Sequence, residues 1–114
     1  MPSIKSLSVV LLAFYVLTQQ VTLAGERVPY EVEGKSYEGY FEPAANSRGM
    51  VLIIHDWDGL TDYEVKRAQM LSAMGYSVFA ADLFGAGVRP TETKDKMALT
   101  GVLYEDRQKM RALM

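Results

Sequence analysis

The sequence predicts an α/β protein in which an antiparallel hairpin precedes a parallel βαβ unit and further helices. Apolar and polar residues alternate between residues 28 and 42, which is the pattern of half-buried strands. Two apolar runs, residues 50–54 and 76–81, flank a stretch with helical periodicity. A strand, a helix and a strand within about 30 residues form the repeating unit of a parallel sheet. These patterns together predict one sheet with antiparallel strands at an edge.

The first 24 residues are predicted to be a secretory signal peptide. Lys5 supplies a positive charge ahead of an apolar run over residues 7–17, and Thr22 and Ala24 are small residues at the positions that signal peptidase inspects. The run is shorter than the ~20 apolar residues that span a bilayer; an uncleaved anchor and a buried core helix are the alternatives. We therefore expect residues 25–114 to form the folded part, secreted or periplasmic, with no membrane span after cleavage.

The hairpin is predicted from two alternating segments joined by a tight turn. Residues 28–33 alternate apolar side chains with polar ones or proline, and residues 35–42 resume the alternation after Glu33-Gly34-Lys35. Residues 43–48 are small and polar, which is typical of a loop. We expect the two segments to pair as antiparallel strands.

The βαβ unit begins with the apolar run 50–54, a pattern typical of a strand covered on both faces. Thr61 and Glu64 have the spacing of a capping box, which starts a helix. Gly75 is a natural residue just past the end of that helix, and residues 76–81 form the second apolar strand.

Helices are expected again after the glycine-containing loop 82–90. Thr91 or Thr93 is expected to cap the first of them, and Gly101 is expected to interrupt it. A further helical stretch is predicted over residues 104–114.

Composition excludes several classes of function. The 114 residues carry a formal net charge of −2, contain no cysteine and include one histidine. Disulfide scaffolds and thiolate zinc sites are therefore excluded for this sequence, and no cluster of lysine and arginine indicates a nucleic-acid partner. No Walker-type loop, dinucleotide fingerprint or G-x-S-x-G elbow occurs, so neither a nucleotide cofactor nor a serine nucleophile is predicted. A Rossmann-type oxidoreductase is disfavoured for the same reason.

The strongest candidate site is the loop 55–62, between the end of a strand and the start of a helix. Ligands bind at this position in α/β sheets, and free backbone N–H groups there can hold an oxyanion. His55 is either a general base or, as we favour, a structural histidine bonded to a neighbouring loop. Asp56 and Asp58 are a weak candidate for a carboxylate pair or a metal site, since their spacing does not match a calcium loop.

Two residues of the following loop are weaker candidates. Asp82 directly follows a strand, where it could cap the loop or belong to the site. Arg89 could contact an anionic substrate or lie solvated before Pro90.

Two motifs in the expected order carry a resemblance to a known family. With HDWDGL at 55–60 and AADLFG at 80–85, residues 51–87 resemble the N-terminal half of the dienelactone hydrolase family, within the α/β-hydrolase fold. The resemblance implies that the Trp57 backbone N–H is one of two oxyanion donors. It implies that Asp56 occupies the position of an acidic residue that contacts the nucleophile. Where the family places an arginine that binds the substrate carboxylate, this sequence differs and has Ala86, and Arg89 is a candidate substitute. His55 is a separate candidate for substrate binding.

The resemblance also implies what these residues lack. The family uses a cysteine nucleophile, an aspartate and a histidine in that chain order, and all three are expected beyond Met114. We therefore expect residues 25–114 to be the N-terminal part of an incomplete α/β-hydrolase fold. The complete hydrolase would act on a small ester or lactone without a cofactor or a nucleic-acid partner. The alternative is a secreted small-ligand-binding module, or an inactive remnant, that uses the loop 55–62.

Overall fold

The computed structural model describes residues 24–114. The predicted signal peptide lies outside the described residues, apart from Ala24. Among residues 24–114, no helix combines the length and the apolar character needed to cross a membrane.

One four-stranded mixed sheet organises the described residues, in the order β1-β2-β4-β3. Along the chain the elements are β1 Glu26–Val32, β2 Lys35–Glu42, β3 Met50–Ile54, α1 Asp62–Ala73, β4 Ser77–Ala81, α2 Thr93–Glu105 and α3 Arg107–Ala112. The predicted α/β class, with a hairpin, a parallel βαβ unit and helices, is confirmed.

The hairpin forms because its turn residues accept the required backbone conformation. Glu33 and Gly34 both have positive φ, 50° and 76°, as a two-residue hairpin turn whose twist matches that of the strands requires. The turn sets Tyr30 of β1 opposite Tyr37 of β2, and their rings stack with centroids 5.6 Å apart. β2 then pairs antiparallel with β4, so the hairpin becomes one edge of the sheet.

The helix α1 begins and ends where the local signals indicate. The Thr61 N–H donates to Glu64 Oε2 at 2.8 Å, and the Thr61 hydroxyl accepts from the Tyr63 N–H at 3.3 Å, so the capping box is present. Gly75 follows the last turn with φ 97°. The crossover returns the chain to β4 beside β3, and these two strands are parallel.

The prediction that β3 is covered on both faces is wrong for the described residues. Three of its side chains are exposed: Met50 at 68%, Leu52 at 47% and Ile54 at 43%. Among the described strands β3 lies at an edge of the sheet, and α1 covers the face that carries Val51 and Ile53. Within residues 24–114, α2 and α3 pack over the hairpin side of the opposite face and leave the β3 side open.

Two predictions about the last helices are also wrong. Neither Thr91 nor Thr93 caps α2, since its N-cap is Glu92 and makes no side-chain cap bond. Gly101 lies inside α2 without interrupting it, because glycine in a helix costs only about 1 kcal/mol. The chain instead breaks at Asp106, whose carboxylate accepts the Lys109 N–H at 3.0 Å and so starts α3.

Two clusters of buried side chains lie on opposite faces of the sheet. One joins α1 to β2 and β4, and the other joins β2 and β4 to α2 and to the end of α3. Between these layers, the carboxyl ends of β3 and β4 lie side by side, with Ile54 paired to Ala81. The loops that follow these two strands therefore meet at one edge of the sheet.

Candidate functional site

His55, the residue that follows β3, bridges the two loops. Its Nε2 accepts the Leu83 backbone N–H at 3.0 Å, and its Nδ1 lies 2.7 Å from the Asp56 carbonyl oxygen. Because the Leu83 N–H can only donate, Nε2 is the acceptor and Nδ1 carries the hydrogen. The ring is 8% exposed and packs edge-on against Phe84. With both nitrogens bonded, the ring serves as a structural link, and its role as a substrate contact stays a prediction.

Residues 56–59 form a tight turn at the mouth of the site. The Gly59 N–H donates to the Asp56 carbonyl at 3.1 Å, and the Asp58 N–H donates to Asp56 Oδ1 at 2.9 Å. Neither central residue has a positive φ, which makes this a type I turn. Within residues 24–114, no acceptor bonds the Trp57 N–H at the second position of the turn. The described residues therefore leave this backbone donor unpaired.

Asp82, the residue that follows β4, holds its own loop together and is fully buried. Oδ1 accepts the N–H groups of Phe84 and Gly85, both at 3.1 Å, and Oδ2 accepts the Glu38 N–H at 3.0 Å. The carboxylate thus ties the loop to β2. Asp82 was predicted either to cap its loop or to belong to the site, and the structure shows it capping the loop.

A tyrosine from the hairpin bonds the backbone of the same residue. The Tyr30 hydroxyl donates to the Asp82 carbonyl at 2.8 Å and accepts the Asp82 N–H at 3.0 Å. Burial raises the pKa of Tyr30 above its ordinary value of 10.0, so the hydroxyl stays protonated at neutral pH. The end of β4 is therefore fixed from both its side chain and its main chain.

Arg89 is engaged within the same loop and does not line the cavity that the two loops enclose. Its Nη1 donates to the carbonyls of Val88 at 2.7 Å and Gly85 at 3.3 Å, and lies 3.7 Å from Asp82 Oδ1. The structure does not bring Arg89 together with His55 and Trp57. Its assignment as a substrate contact stays a prediction that its position does not favour.

A cavity of about 380 Å³ lies between the two loops and the helices α2 and α3. This volume is in the range of small-molecule sites. The loops contribute His55, Asp56 and Trp57 together with Leu83 and Phe84, and the sequence patterns did not predict the opposite wall. That wall consists of Thr100, Leu103, Tyr104 and Met110. The spacing of residues 100, 103 and 104 marks one face of a helix and is the signal that could have identified it.

Among the described residues, the lining holds no serine or cysteine. The Thr100 hydroxyl donates to the Lys96 carbonyl at 2.8 Å, as helical threonines commonly do. The part of the chain that the structure describes also contains no group of three or more carboxylates or imidazoles placed to hold a metal ion. Among the described residues, the lining consists of the Trp57 turn, one aspartate and a mostly apolar surface.

The fold and the position of this cavity define the first part of an α/β-hydrolase. The model of the dienelactone hydrolase family matches residues 38–113, and the chain belongs to that family. No curated protein matches the sequence.

Two solved structures are similar to the chain. A structure named m3DLH has a TM-score of 0.70 and 26% identity. A dienelactone hydrolase-like promiscuous phosphotriesterase from metagenomic libraries has a TM-score of 0.69 and 23% identity. Each comparison covers 78% of this chain and 38% of the other chain. The chain therefore spans well under half the length of these structures.

Proposed function

We propose that the described residues form the oxyanion-binding part of the active site of a hydrolase that acts on a small, neutral ester or lactone. The observation that carries the proposal is the unpaired N–H of Trp57, a residue that lines the cavity. A backbone donor held in a fixed turn stabilises charge that develops on a carbonyl oxygen, at no cost of reorganisation.

The proposed reaction is covalent catalysis with a nucleophile supplied from outside the described residues. As the family resemblance implies, a cysteine thiolate attacks the carbonyl carbon, a C–S bond forms, and the π electron pair moves onto the oxygen. The Trp57 N–H holds that oxyanion with a second donor. The pair then returns, the alkoxide leaves with a proton from the histidine, and water hydrolyses the thioester.

Asp56 is proposed to contact the nucleophile before attack. It lines the cavity next to Trp57, and its Oδ1 is held by the Asp58 N–H. This bond fixes the rotation of the carboxylate, so that the second oxygen has a defined direction. An acidic group so placed can bond the thiol and orient it.

The lining supports a neutral substrate. Most of the side chains around the cavity are apolar, and none of the lining residues is a lysine or an arginine. Arg89, the candidate for binding a carboxylate, already bonds Asp82 and two carbonyl oxygens. A substrate carboxylate placed here would lack a charged partner among the described residues, and its burial would be costly.

We further propose that the complete protein is longer and is exported. The exposed apolar face of β3 and the 38% coverage of both similar structures support additional chain packing beside β3. The signal-peptide pattern of residues 1–24 supports export to the periplasm or the medium. Protein recovered from those fractions should begin at Gly25 by N-terminal sequencing, and a cytoplasmic protein that retains residues 1–24 would contradict export.

Hydrolysis of a chromogenic acetate ester tests the proposed function. We expect no turnover above the buffer rate from the purified 114-residue chain, and turnover from the product of the complete reading frame that contains it. Alkylation of cysteine should abolish that activity. Turnover by the 114-residue chain, or an inactive and fully folded complete product, would contradict the proposal.

A small-ligand-binding module is the second candidate, because the cavity is already formed by residues 54–110. This candidate requires the 114-residue chain to fold alone and to bind apolar esters without hydrolysing them. Calorimetric titration with a non-hydrolysable ether analogue of the ester separates the two functions. Tight binding by the short chain, with no activity in any longer product, would favour the module.

A further inference from the structure

We propose that Lys96 is a positioning residue that holds the turn of the Trp57 donor against α2, an inference that rests on the proposed function. Lys96 lies in the first part of α2, and its Nζ forms an ion pair with the Asp58 carboxylate. The same Nζ lies 5.4 Å from the centroid of the Trp57 ring, within the range of a cation–π interaction. One ammonium group thus contacts both central residues of the turn.

The other polar contacts that hold this turn end within residues 55–59 or lead through His55 to the loop after β4, and none of them reaches α2. Two of them, from Gly59 and Asp58, end on Asp56, and the third comes from the adjacent His55 ring. These bonds define the shape of the turn and do not define its direction relative to the opposite wall of the cavity. Within residues 24–114, Lys96 provides the polar contact to residues 56–58 from a distant element, since 38 positions separate it from Asp58.

Lys96 can fix a direction because its own backbone is firmly held. Its N–H donates to the Glu92 carbonyl at 3.1 Å, and its carbonyl accepts the Thr100 hydroxyl at 2.8 Å. The helix is anchored in turn by Leu103, which is buried against Tyr37 and Phe84. The wall that contacts the substrate and the ammonium that holds the donor therefore belong to the same rigid helix.

The two side chains of this ion pair differ in burial. The Lys96 side chain is only 18% exposed, whereas the Asp58 side chain is 45% exposed. The lysine stem lies in the interface while the carboxylate faces solvent, so the stability gained is expected to be small, as for other exposed pairs. We expect the main effect of Lys96 to be on the position of Trp57, because a small misplacement of a catalytic donor slows the reaction severely.

The test compares Lys96→Met, which keeps the stem and removes the charge, with Lys96→Arg, which keeps the cation. Lys94→Met, an exposed position on the same helix, is the matched control. Trp57 is the single tryptophan of the sequence, so its fluorescence in the 114-residue chain reports the turn directly. Lys96→Met should shift the emission of Trp57 to longer wavelength and raise acrylamide quenching. The increase is limited to about twofold, because Trp57 is already 45% exposed in the wild-type chain.

The Lys96→Arg and Lys94→Met variants should keep the wild-type spectrum, with unchanged far-ultraviolet circular dichroism in all variants. In the complete hydrolase, Lys96→Met should lower kcat by about 10- to 100-fold with KM unchanged, and Lys96→Arg should restore most of the loss. If the short chain does not fold, the kinetic comparison decides.

The outcomes separate the two proposals. An active complete enzyme in which Lys96→Met leaves kcat unchanged overturns the role of Lys96 and leaves the proposed function standing. A Lys96→Met spectrum identical to wild type in a folded short chain also overturns it. An inactive complete product overturns the proposed function, while the fluorescence of Trp57 still decides whether Lys96 holds the turn.

Discussion

Replacing Trp57 with proline is expected to lower kcat of the complete hydrolase by about 10²- to 10³-fold, the usual cost of losing one oxyanion donor. Proline removes the backbone N–H that the proposed mechanism requires. It is favoured at the second position of a type I turn, which is the position of Trp57 between Asp56 and Gly59. The substitution therefore deletes the donor while the turn is retained.

The matched control is Trp57→Ala, which keeps the N–H and removes the indole ring. We expect Trp57→Ala to retain most of kcat and to change KM more, because the ring forms part of the cavity lining. Steady-state kinetics on both variants give the contribution of the N–H as the ratio of their kcat values. Equal kcat values for the proline and alanine variants would contradict the role of this donor.

Replacing Asp82 with alanine is expected to lower the free energy of unfolding by about 3–5 kcal/mol, the range for breaking a buried charged network. Three backbone N–H groups, from Glu38, Phe84 and Gly85, would lose their acceptor. Arg89 would lose the carboxylate 3.7 Å away. The loop between β4 and α2 would separate from β2, and the cavity wall formed by Leu83 and Phe84 would loosen.

Urea unfolding monitored by circular dichroism measures this loss. Asp82→Asn keeps one carbonyl acceptor and should lie between wild type and alanine, which keeps the prediction testable if the alanine variant does not fold. Asp95→Ala, at an exposed aspartate of α2, should change stability by less than about 0.5 kcal/mol. A loss for Asp82→Ala as small as that of Asp95→Ala would show that the buried carboxylate does not organise the loop.

Local patterns in the sequence predict the elements that local physics determines. The turn at Glu33 and Gly34, the capping box of Thr61 and Glu64, and the end of α1 at Gly75 depend on interactions within a few residues. The parallel pairing of β3 and β4 follows from the helical crossover between them. These features could therefore be predicted without the structure.

The wrong predictions, on the burial of β3 and the break between α2 and α3, concern features that depend on neighbouring elements or on competing local interactions. The apolar run of β3 predicts burial, and whether a neighbour covers each face depends on the sheet order, which an alternation pattern does not contain. Gly101 stays helical because its neighbours form helix readily and the cost of one glycine is small. The break comes at Asp106, whose side chain accepts the Lys109 N–H and so caps the next helix.

The same distinction applies to the site. Its location in the loop 55–62 follows from the rule that ligands bind at the carboxyl ends of parallel strands. The contacts of Lys96 with Asp58 and of Asp82 with Glu38 join residues distant in the chain, so spacing could not reveal them. Arg89 was a candidate because an arginine in a loop can bind anions, and only the structure shows that Asp82 and two carbonyls engage it.

A crystal structure of the complete protein with a trifluoromethyl ketone analogue of a small ester is the most direct test of the oxyanion assignment. Such a ketone gives a tetrahedral adduct with a reactive nucleophile, and its oxygen occupies the position of the oxyanion. We predict that this oxygen lies about 2.7–3.1 Å from the Trp57 nitrogen, within the cavity between residues 55–57 and α2. An adduct oxygen held by other donors, with the Trp57 nitrogen beyond about 3.5 Å, would contradict the account.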